Sequence, residues 1–124
     1  MKILITGGAG FVGSHLADLL HGEGHNIVVI DDLSTGRKDN VAQLEGSERF
    51  RLIIDTVLNE TLIDTLVAEA DRVFHMASAV GVKLIMEQPV KTIETIFRGT
   101  EVVVGACARH RKRVLVPSTS EVYG

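Results

Sequence analysis

A run of glycines lies close to the start of the chain, between a short apolar segment and an amphipathic one, and this arrangement restricts the possible folds most strongly. Residues 3–5 are aliphatic, as in a short buried strand, and the glycines follow almost directly. Residues 12–20 then carry valine and leucine at the spacing of one helix face. A strand that turns into a helix through glycines is typical of the first unit of a parallel α/β sheet.

The rest of the chain repeats this alternation of strand-like and helix-like segments. Parallel strands need crossover connections, which are almost always right-handed. The pattern therefore predicts an α/β fold, a doubly wound parallel sheet of five strands in the order 3-2-1-4-5 with helices on both faces. The predicted strands are 3–5, 27–30, 50–54, 72–76 and 113–116, and the predicted helices are 12–22, 58–70 (capped by Asn59) and 89–109 (opened by Pro89).

Length and composition exclude several classes of protein. With 124 residues, of which 45% are hydrophobic and 23% charged, the chain is expected to form one globular domain over residues 1–124. A net charge of −3 argues against a protein that binds nucleic acid through bulk charge. The chain has no apolar run long enough for a membrane span, and its single cysteine, Cys107, cannot form an internal disulfide. We therefore expect a cytoplasmic protein with no membrane or nucleic-acid partner.

Gly7, Gly10 and Gly13 form a G-x-x-G-x-x-G pattern at the place where a dinucleotide-binding turn requires it. One glycine permits the tight turn, the next lets the backbone approach a pyrophosphate, and the third lets the helix pack closely on the strand. The helix N-terminus that follows offers free N–H groups and a partial positive charge to phosphates. The pattern indicates a Rossmann-type fold with a dinucleotide at this turn.

Asp31 follows the second predicted strand, 18 residues after Gly13. A carboxylate at this position can accept both hydroxyls of an adenosine ribose, and it would repel a 2′-phosphate. The sequence therefore favours NAD over NADP. The alternative is a glycine-rich turn followed by an ordinary capping acid.

Four ordered motifs resemble the extended short-chain dehydrogenases/reductases, and most of all their nucleotide-sugar epimerases, dehydratases and decarboxylases. The resemblance covers the whole chain, but only the N-terminal NAD-binding part of such an enzyme, so we expect the family's C-terminal substrate-binding part to lie outside these residues. The motifs are Thr6-Gly7-Gly8-Ala9-Gly10-Phe11-Val12-Gly13-Ser14-His15-Leu16, Asp31-Asp32-Leu33-Ser34-Thr35-Gly36, His75-Met76-Ala77-Ser78-Ala79 and Ser118-Thr119-Ser120-Glu121-Val122-Tyr123-Gly124.

The resemblance implies a set of residues that contact NAD. Small residues in a tight turn are the alternative explanation for the segment after the fourth strand. The implied contacts are Gly7, Gly10, Phe11, Val12 and Gly13 at the pyrophosphate, Asp31, Asp32, Leu33, Ser34, Thr35 and Gly36 around the adenosine, Asp55 and Thr56 at the adenine, Met76, Ala77, Ser78 and Val80 along the nicotinamide ribose, and Ser118 after the fifth strand.

The resemblance also implies a catalytic group of Thr119, Ser120 and Glu121 after the fifth strand. In the family, NAD takes a hydride from C4 of the sugar of a nucleotide-sugar, and epimerisation, loss of water or decarboxylation follows. An acid at the position of Glu121 favours dehydratase- or decarboxylase-like chemistry over plain 4-epimerisation. Turn and capping roles are the alternative for these residues.

Two departures from the family pattern bear on activity. The family's Tyr-x-x-x-Lys pair, in which the lysine lowers the pKa of the tyrosine, does not occur within the chain, whose only tyrosine is Tyr123. Ile96 stands where the family usually carries asparagine, and Asp32 where asparagine is common. The alternative function is therefore a stand-alone or degenerate dinucleotide-binding module without turnover, for example a regulatory one.

The remaining motifs have structural explanations. The five histidines show no metal-ligand spacing, and we expect His75 to be a packed, hydrogen-bonded side chain and Cys107 a buried one. The basic run 109–113 falls at a helix C-terminus, where cations offset the helix dipole. The long helix has more apolar residues than one face needs, which predicts a homo-oligomer. These residues are Val90, Ile93, Ile96, Phe97, Val103 and Val104.

Overall fold

The computed structural model describes residues 1–78 and 89–117. Its described residues form one five-stranded sheet in the order β3-β2-β1-β4-β5, and every pair of neighbouring strands is parallel. The predicted Rossmann-type strand order is confirmed. The strands are β1 (Lys2–Thr6), β2 (Asn26–Asp31), β3 (Phe50–Ile54), β4 (Arg72–His75) and β5 (Arg113–Leu115).

Helices cover both faces of the sheet and enclose two separate hydrophobic cores. The core beneath the first helix contains Ile5 and Val29, and the core beneath the other two contains Leu4 and Val28. Successive residues of a strand point to opposite faces, so the near-continuous aliphatic run of a doubly covered strand supplies both cores. The helices are α1 (Phe11–Gly22), α2 (Glu60–Glu69) and α3 (Pro89–His110), and short 3₁₀ segments span Lys38–Leu44 and Met76–Ser78.

The predicted boundaries differ from the observed ones by one or two residues at most ends. The side chain of Asn59 caps α2 as predicted, because its Oδ1 accepts a hydrogen bond from the Leu62 N–H at 3.2 Å. Met76 was predicted to be the last residue of β4, but it lies outside that strand. The strand ends one residue earlier, because its partner β1 ends at Thr6, and Thr6 pairs with His75. The chain then turns into the 3₁₀ segment at the edge of the sheet where parallel strands end.

Helix α3 presents one buried face to the sheet and α2, and a second, exposed apolar face. Cys107 is buried as predicted, and Val103 is also buried, although the sequence placed it among the surplus apolar residues. Arg109 and His110, in the last turn, both contact Asp64 of α2 at 3.0 Å, and these hydrogen bonds lower the pKa of that carboxyl. The large apolar residues that stay exposed are Val90, Ile93, Phe97 and Val104.

The described ranges contain no helix that is both long enough and apolar enough to cross a lipid bilayer.

Candidate functional site

The glycine turn joins β1 to α1 at the carboxyl edge of the sheet. Gly7 has a φ of +66°, a left-handed conformation that suits glycine, and a Cβ there would lie 2.7 Å from the backbone nitrogen of Ala77. A Cβ on Gly13 would overlap the carbonyl oxygen of Gly7. These two glycines are therefore required by the tight turn and by the close approach of α1 to β1.

Gly10 differs from the other two glycines because its surroundings are more open. A Cβ there would meet only the carbonyl oxygen of Gly7, at 3.3 Å, and no side chain caps the helix that Gly10 begins. In the described part of the chain, the N–H groups of Phe11, Val12 and Gly13 have no hydrogen-bond acceptor. The start of α1 thus offers three donors and a partial positive charge on the side of the turn that a larger residue at position 10 would obstruct.

Asp31, the last residue of β2, is buried and connects the glycine turn to the following loop. Its Oδ2 accepts a hydrogen bond from the Ala9 N–H at 2.9 Å, and its Oδ1 accepts one from the Leu33 N–H at 2.8 Å. A carboxylate has about four acceptor positions, so each oxygen can accept a further donor. These two hydrogen bonds hold the carboxylate beside Ala9, the residue that precedes Gly10.

The loop after Asp31 is folded tightly against this carboxylate. Leu33 has a φ of +61°, which costs an L-residue about 1–2 kcal/mol. Asp32, which is exposed, accepts a hydrogen bond from the Ser34 N–H at 2.9 Å. Gly36 is buried, and a Cβ there would lie 2.8 Å from Oδ2 of Asp31. Ser34 and Thr35 are exposed at the tip of the loop.

Sequence reasoning missed the residues that attach this loop to the glycine turn. The carbonyl oxygen of Ala9 accepts hydrogen bonds from the Arg37 N–H at 3.0 Å and from the side-chain amide of Asn40 at 2.7 Å. Gly8 was also missed: a Cβ there would lie 2.6 Å from a methyl group of Val29. The partners lie about 20 to 30 residues further along the chain, so a small residue between glycines was the only available signal.

Asp55 and Thr56 follow β3 and lie at the same edge of the sheet as Asp31. Asp31 pairs with Ile54, so the ends of β2 and β3 are level with each other. Oδ1 of Asp55 accepts a hydrogen bond from the Thr56 N–H at 2.7 Å, and Oδ2 accepts one from the side chain of Asn59 at 3.3 Å. Both residues are half-buried, which leaves them accessible to a ligand at the edge.

His75 ends β4 and is a packed, hydrogen-bonded side chain, as predicted. Its Nδ1 lies 2.7 Å from the hydroxyl of Thr6, and its Nε2 lies 3.1 Å from the hydroxyl of Thr100 on α3. The hydroxyl of Thr6 also accepts a hydrogen bond from the Ala77 N–H at 3.2 Å. Burial lowers the pKa of His75 from 6.5 to about 4, so the ring is neutral at pH 7.

The turn Met76–Ser78 lies directly after His75, beside the glycine turn, and the side chains of Met76 and Ala77 are half-buried. Ile96, at the position where the family carries asparagine, is also half-buried and lies one turn before Thr100. The structure therefore brings the predicted pyrophosphate, adenosine and nicotinamide-side groups to one edge of the sheet. The predicted site residues outside the described ranges are Val80, Ser118, Thr119, Ser120 and Glu121.

The strand order and the glycine turn at this edge are those of the extended short-chain dehydrogenases/reductases, and the comparisons with known proteins agree. The family model described as GDP-mannose 4,6 dehydratase matches residues 4–124. The chain belongs to that family. The resemblance to nucleotide-sugar epimerases, dehydratases and decarboxylases is confirmed.

Two curated relatives illustrate the similarity. UDP-glucuronic acid decarboxylase 1 of Danio rerio is 46% identical over 99% of this chain and 28% of its own length. UDP-N-acetyl-alpha-D-glucosaminuronate decarboxylase of Bacillus cytotoxicus is 41% identical over 99% of this chain and 38% of its own length. The chain thus spans about a third of the length of these relatives.

Solved structures in the same group contain NAD. The dTDP-glucose 4,6-dehydratase DesIV of Streptomyces venezuelae, a double mutant with NAD and DAU bound, superposes with a TM-score of 0.91 at 27% identity, over 100% of this chain and 41% of that one. UDP-glucose 4-epimerase of Brucella ovis in complex with NAD superposes with a TM-score of 0.83 at 31% identity, over 99% of this chain and 37% of that one.

Proposed function

We propose that residues 1–124 are the NAD-binding portion of an enzyme that acts on a nucleotide-sugar. One observation carries the proposal: three N–H donors without acceptors in the described chain, at the start of α1, lie next to a fixed carboxylate, Asp31, at the carboxyl edge of β1 and β2. Phosphates suit the donors, and ribose hydroxyls suit the carboxylate. The NAD-containing relatives support the same cofactor.

The proposed contacts to NAD are distributed along the carboxyl edge of the sheet. The N–H groups of Phe11, Val12 and Gly13 would hold the pyrophosphate, since Gly10 leaves that side open. The spare acceptor positions of Asp31 would take the adenosine ribose, and its loop, 32–36, would enclose the adenosine. The outer members of the proposed site are Asp55 and Thr56 at the adenine, the turn Met76–Ser78 and Val80 at the nicotinamide ribose, and Ser118 beyond β5.

Held by these residues, NAD would supply the hydride acceptor for the oxidation of the sugar at C4 to a 4-keto group. The reaction that we propose to follow is decarboxylase- or dehydratase-like. The similarity to decarboxylases of UDP-glucuronic acid and of a UDP-linked glucosaminuronate supports the decarboxylase. In this proposal Thr119 hydrogen-bonds the sugar hydroxyl that is oxidised, and Ser120 and Glu121 act as polar and acid/base groups. We also propose that the protein is a cytoplasmic homo-oligomer that associates through the exposed apolar face of α3.

Titration calorimetry with NAD and NADP tests the cofactor assignment. NAD should bind at least about fivefold more tightly, because a 2′-phosphate beside a carboxylate costs about 1–4 kcal/mol at 4 Å, depending on the dielectric. Asp31→Asn removes the charge with little change of shape, and it should narrow the difference. The control is Asp18→Asn, which neutralises an exposed carboxylate on α1 outside the proposed contacts and should preserve the preference. Equal affinity of the unaltered protein for the two cofactors would refute the role of Asp31.

The sugar chemistry needs a separate assay on the intact protein that contains this chain. A decarboxylase should release carbon dioxide from UDP-glucuronate and should not change UDP-glucose. Conversion of UDP-glucose to its 4-epimer without carbon dioxide release would replace the decarboxylase assignment by an epimerase and leave the NAD assignment intact.

A further inference from the structure

A partly buried series of side-chain hydrogen bonds lies next to the glycine turn. It begins at the Ala77 N–H, passes through the hydroxyl of Thr6 and both ring nitrogens of His75, and ends at the hydroxyl of Thr100. The separations along it are 3.2, 2.7 and 3.1 Å. Three elements are joined in this way: the end of β1, the end of β4 with its turn, and the middle of α3.

This series of hydrogen bonds has no evident role in holding the sheet together. The backbones of β1 and β4 already pair with each other up to Thr6 and His75. Its polar atoms are placed where burial is costly. Thr6 and His75 are buried, and a polar group buried without a partner costs about 1–3 kcal/mol. Each hydroxyl in the series therefore constrains the orientation of the next group, and the last constraint falls on the backbone of Ala77.

Ala77 connects this series of hydrogen bonds to the edge of the sheet where the cofactor is proposed to bind. Its backbone nitrogen and Cα occupy the space beside Gly7 so closely that a Cβ on Gly7 would come within 2.8 Å of both. In a sheet with this strand order, a dinucleotide lies across the point where the order reverses, here between β1 and β4. If Asp31 at the end of β2 holds the adenosine over β2 and β3, as proposed above, the other half of the dinucleotide falls over β4.

We infer that His75 and Thr100 are positioning residues that hold the turn Met76–Ser78 in the arrangement that receives the nicotinamide half of the dinucleotide. This inference rests on the proposed function. His75 is hydrogen-bonded to Thr6 and Thr100, and it acts on the turn through Thr6 and the Ala77 N–H. Thr100 supplies from α3 a hydrogen bond that Ile96, one turn earlier, cannot make.

The test compares NAD with ADP, which retains the adenosine and the pyrophosphate but lacks the nicotinamide riboside. Thr100→Val removes one hydroxyl at nearly constant volume. If these hydrogen bonds hold the turn, the variant populates the receptive arrangement less, and NAD affinity should fall by up to about fivefold, which corresponds to the typical contribution of one hydrogen bond. ADP affinity should not change. Thr100→Ser restores the hydroxyl and should restore NAD affinity, while Thr95→Val, an exposed site on the same helix, is the control.

Each outcome of the calorimetry has a distinct meaning. Equal loss of NAD and ADP affinity in Thr100→Val, or unchanged NAD affinity, overturns the positioning role and leaves the proposed function standing. Failure of the unaltered protein to bind either NAD or ADP overturns the proposed function, and the positioning role with it. If the variant does not fold, the ¹⁵N signals of the His75 ring in the unaltered protein decide: NAD should shift them and ADP should not, and an identical response to both overturns the inference.

Discussion

Replacing His75 with glutamine should make the free energy of unfolding less sensitive to acid. In the folded protein, burial lowers the pKa of His75 from 6.5 to about 4, whereas the unfolded chain restores the ordinary value. Between these two values the unfolded state binds more protons than the folded state. The unfolding free energy therefore falls as the pH decreases from about 6.5 and stops falling, for this group, near pH 4.

The magnitude follows from the size of the shift. One pKa unit corresponds to about 1.4 kcal/mol, so the full difference between the two states is about 3 kcal/mol. Most of it lies between pH 7.5 and pH 4.5, where His75 should contribute about 2–3 kcal/mol to the loss of stability. This is a large fraction of the total stability of a small domain, which is typically about 5–15 kcal/mol.

Urea unfolding at several pH values, on the unaltered protein and on His75→Gln, measures this contribution. Glutamine keeps a hydrogen-bonding side chain at this position but does not titrate, and all other ionisable groups are the same in both proteins, so their contributions cancel in the comparison. His15→Gln, at an exposed histidine of α1, controls for the loss of a histidine as such. An equal decrease of stability with acid in the unaltered protein and in His75→Gln would refute the argument, as would a His75 ring that is protonated at pH 5.5 in an NMR titration of the folded protein.

Three further predictions concern the glycine turn, association and turnover. Gly13→Ala should lower the unfolding free energy by about 3 kcal/mol in urea titrations, because its Cβ meets the backbone of Gly7. Gly10→Val, by contrast, should keep its circular dichroism spectrum and lose NAD binding in calorimetry. A folded Gly10→Val with unchanged NAD affinity would show that the turn is not part of the cofactor site. The protein should sediment as a dimer or larger species at micromolar concentration, and Phe97→Lys, on a side chain that is 66% exposed, should shift it toward monomer; a monomer at high concentration would contradict this. A polypeptide of residues 1–124 should bind NAD but produce no NADH absorbance with UDP-glucose, UDP-glucuronate, dTDP-glucose or GDP-mannose, because the loss of a general base lowers the reaction rate by about 10²–10⁴-fold. Turnover would point to Glu121 as the base, and Glu121→Gln would be the next test.

Much of the fold could be predicted from the sequence because it depends on local patterns. Aliphatic runs, helical spacing and glycines between them are properties of short segments, and right-handed crossovers leave few strand orders for such an alternation. Asn59 as a cap and Pro89 as a helix start are equally local, and the structure contains both. The positions of the glycine turn and of Asp31 at one edge follow from the same alternation, since parallel strands all end there.

Tertiary structure decided which residue serves which purpose at that edge. The sequence alone treated Gly7, Gly10 and Gly13 as one motif, but only the packing shows that Gly10 is open while the other two are confined. The hydrogen bonds of His75 to Thr6 and Thr100 join residues 69 and 25 positions apart, and no local pattern predicts such pairs. They exist because sheet register and helix packing bring distant side chains within 3 Å or so, and these are determined by the burial of the whole chain and not by any one segment.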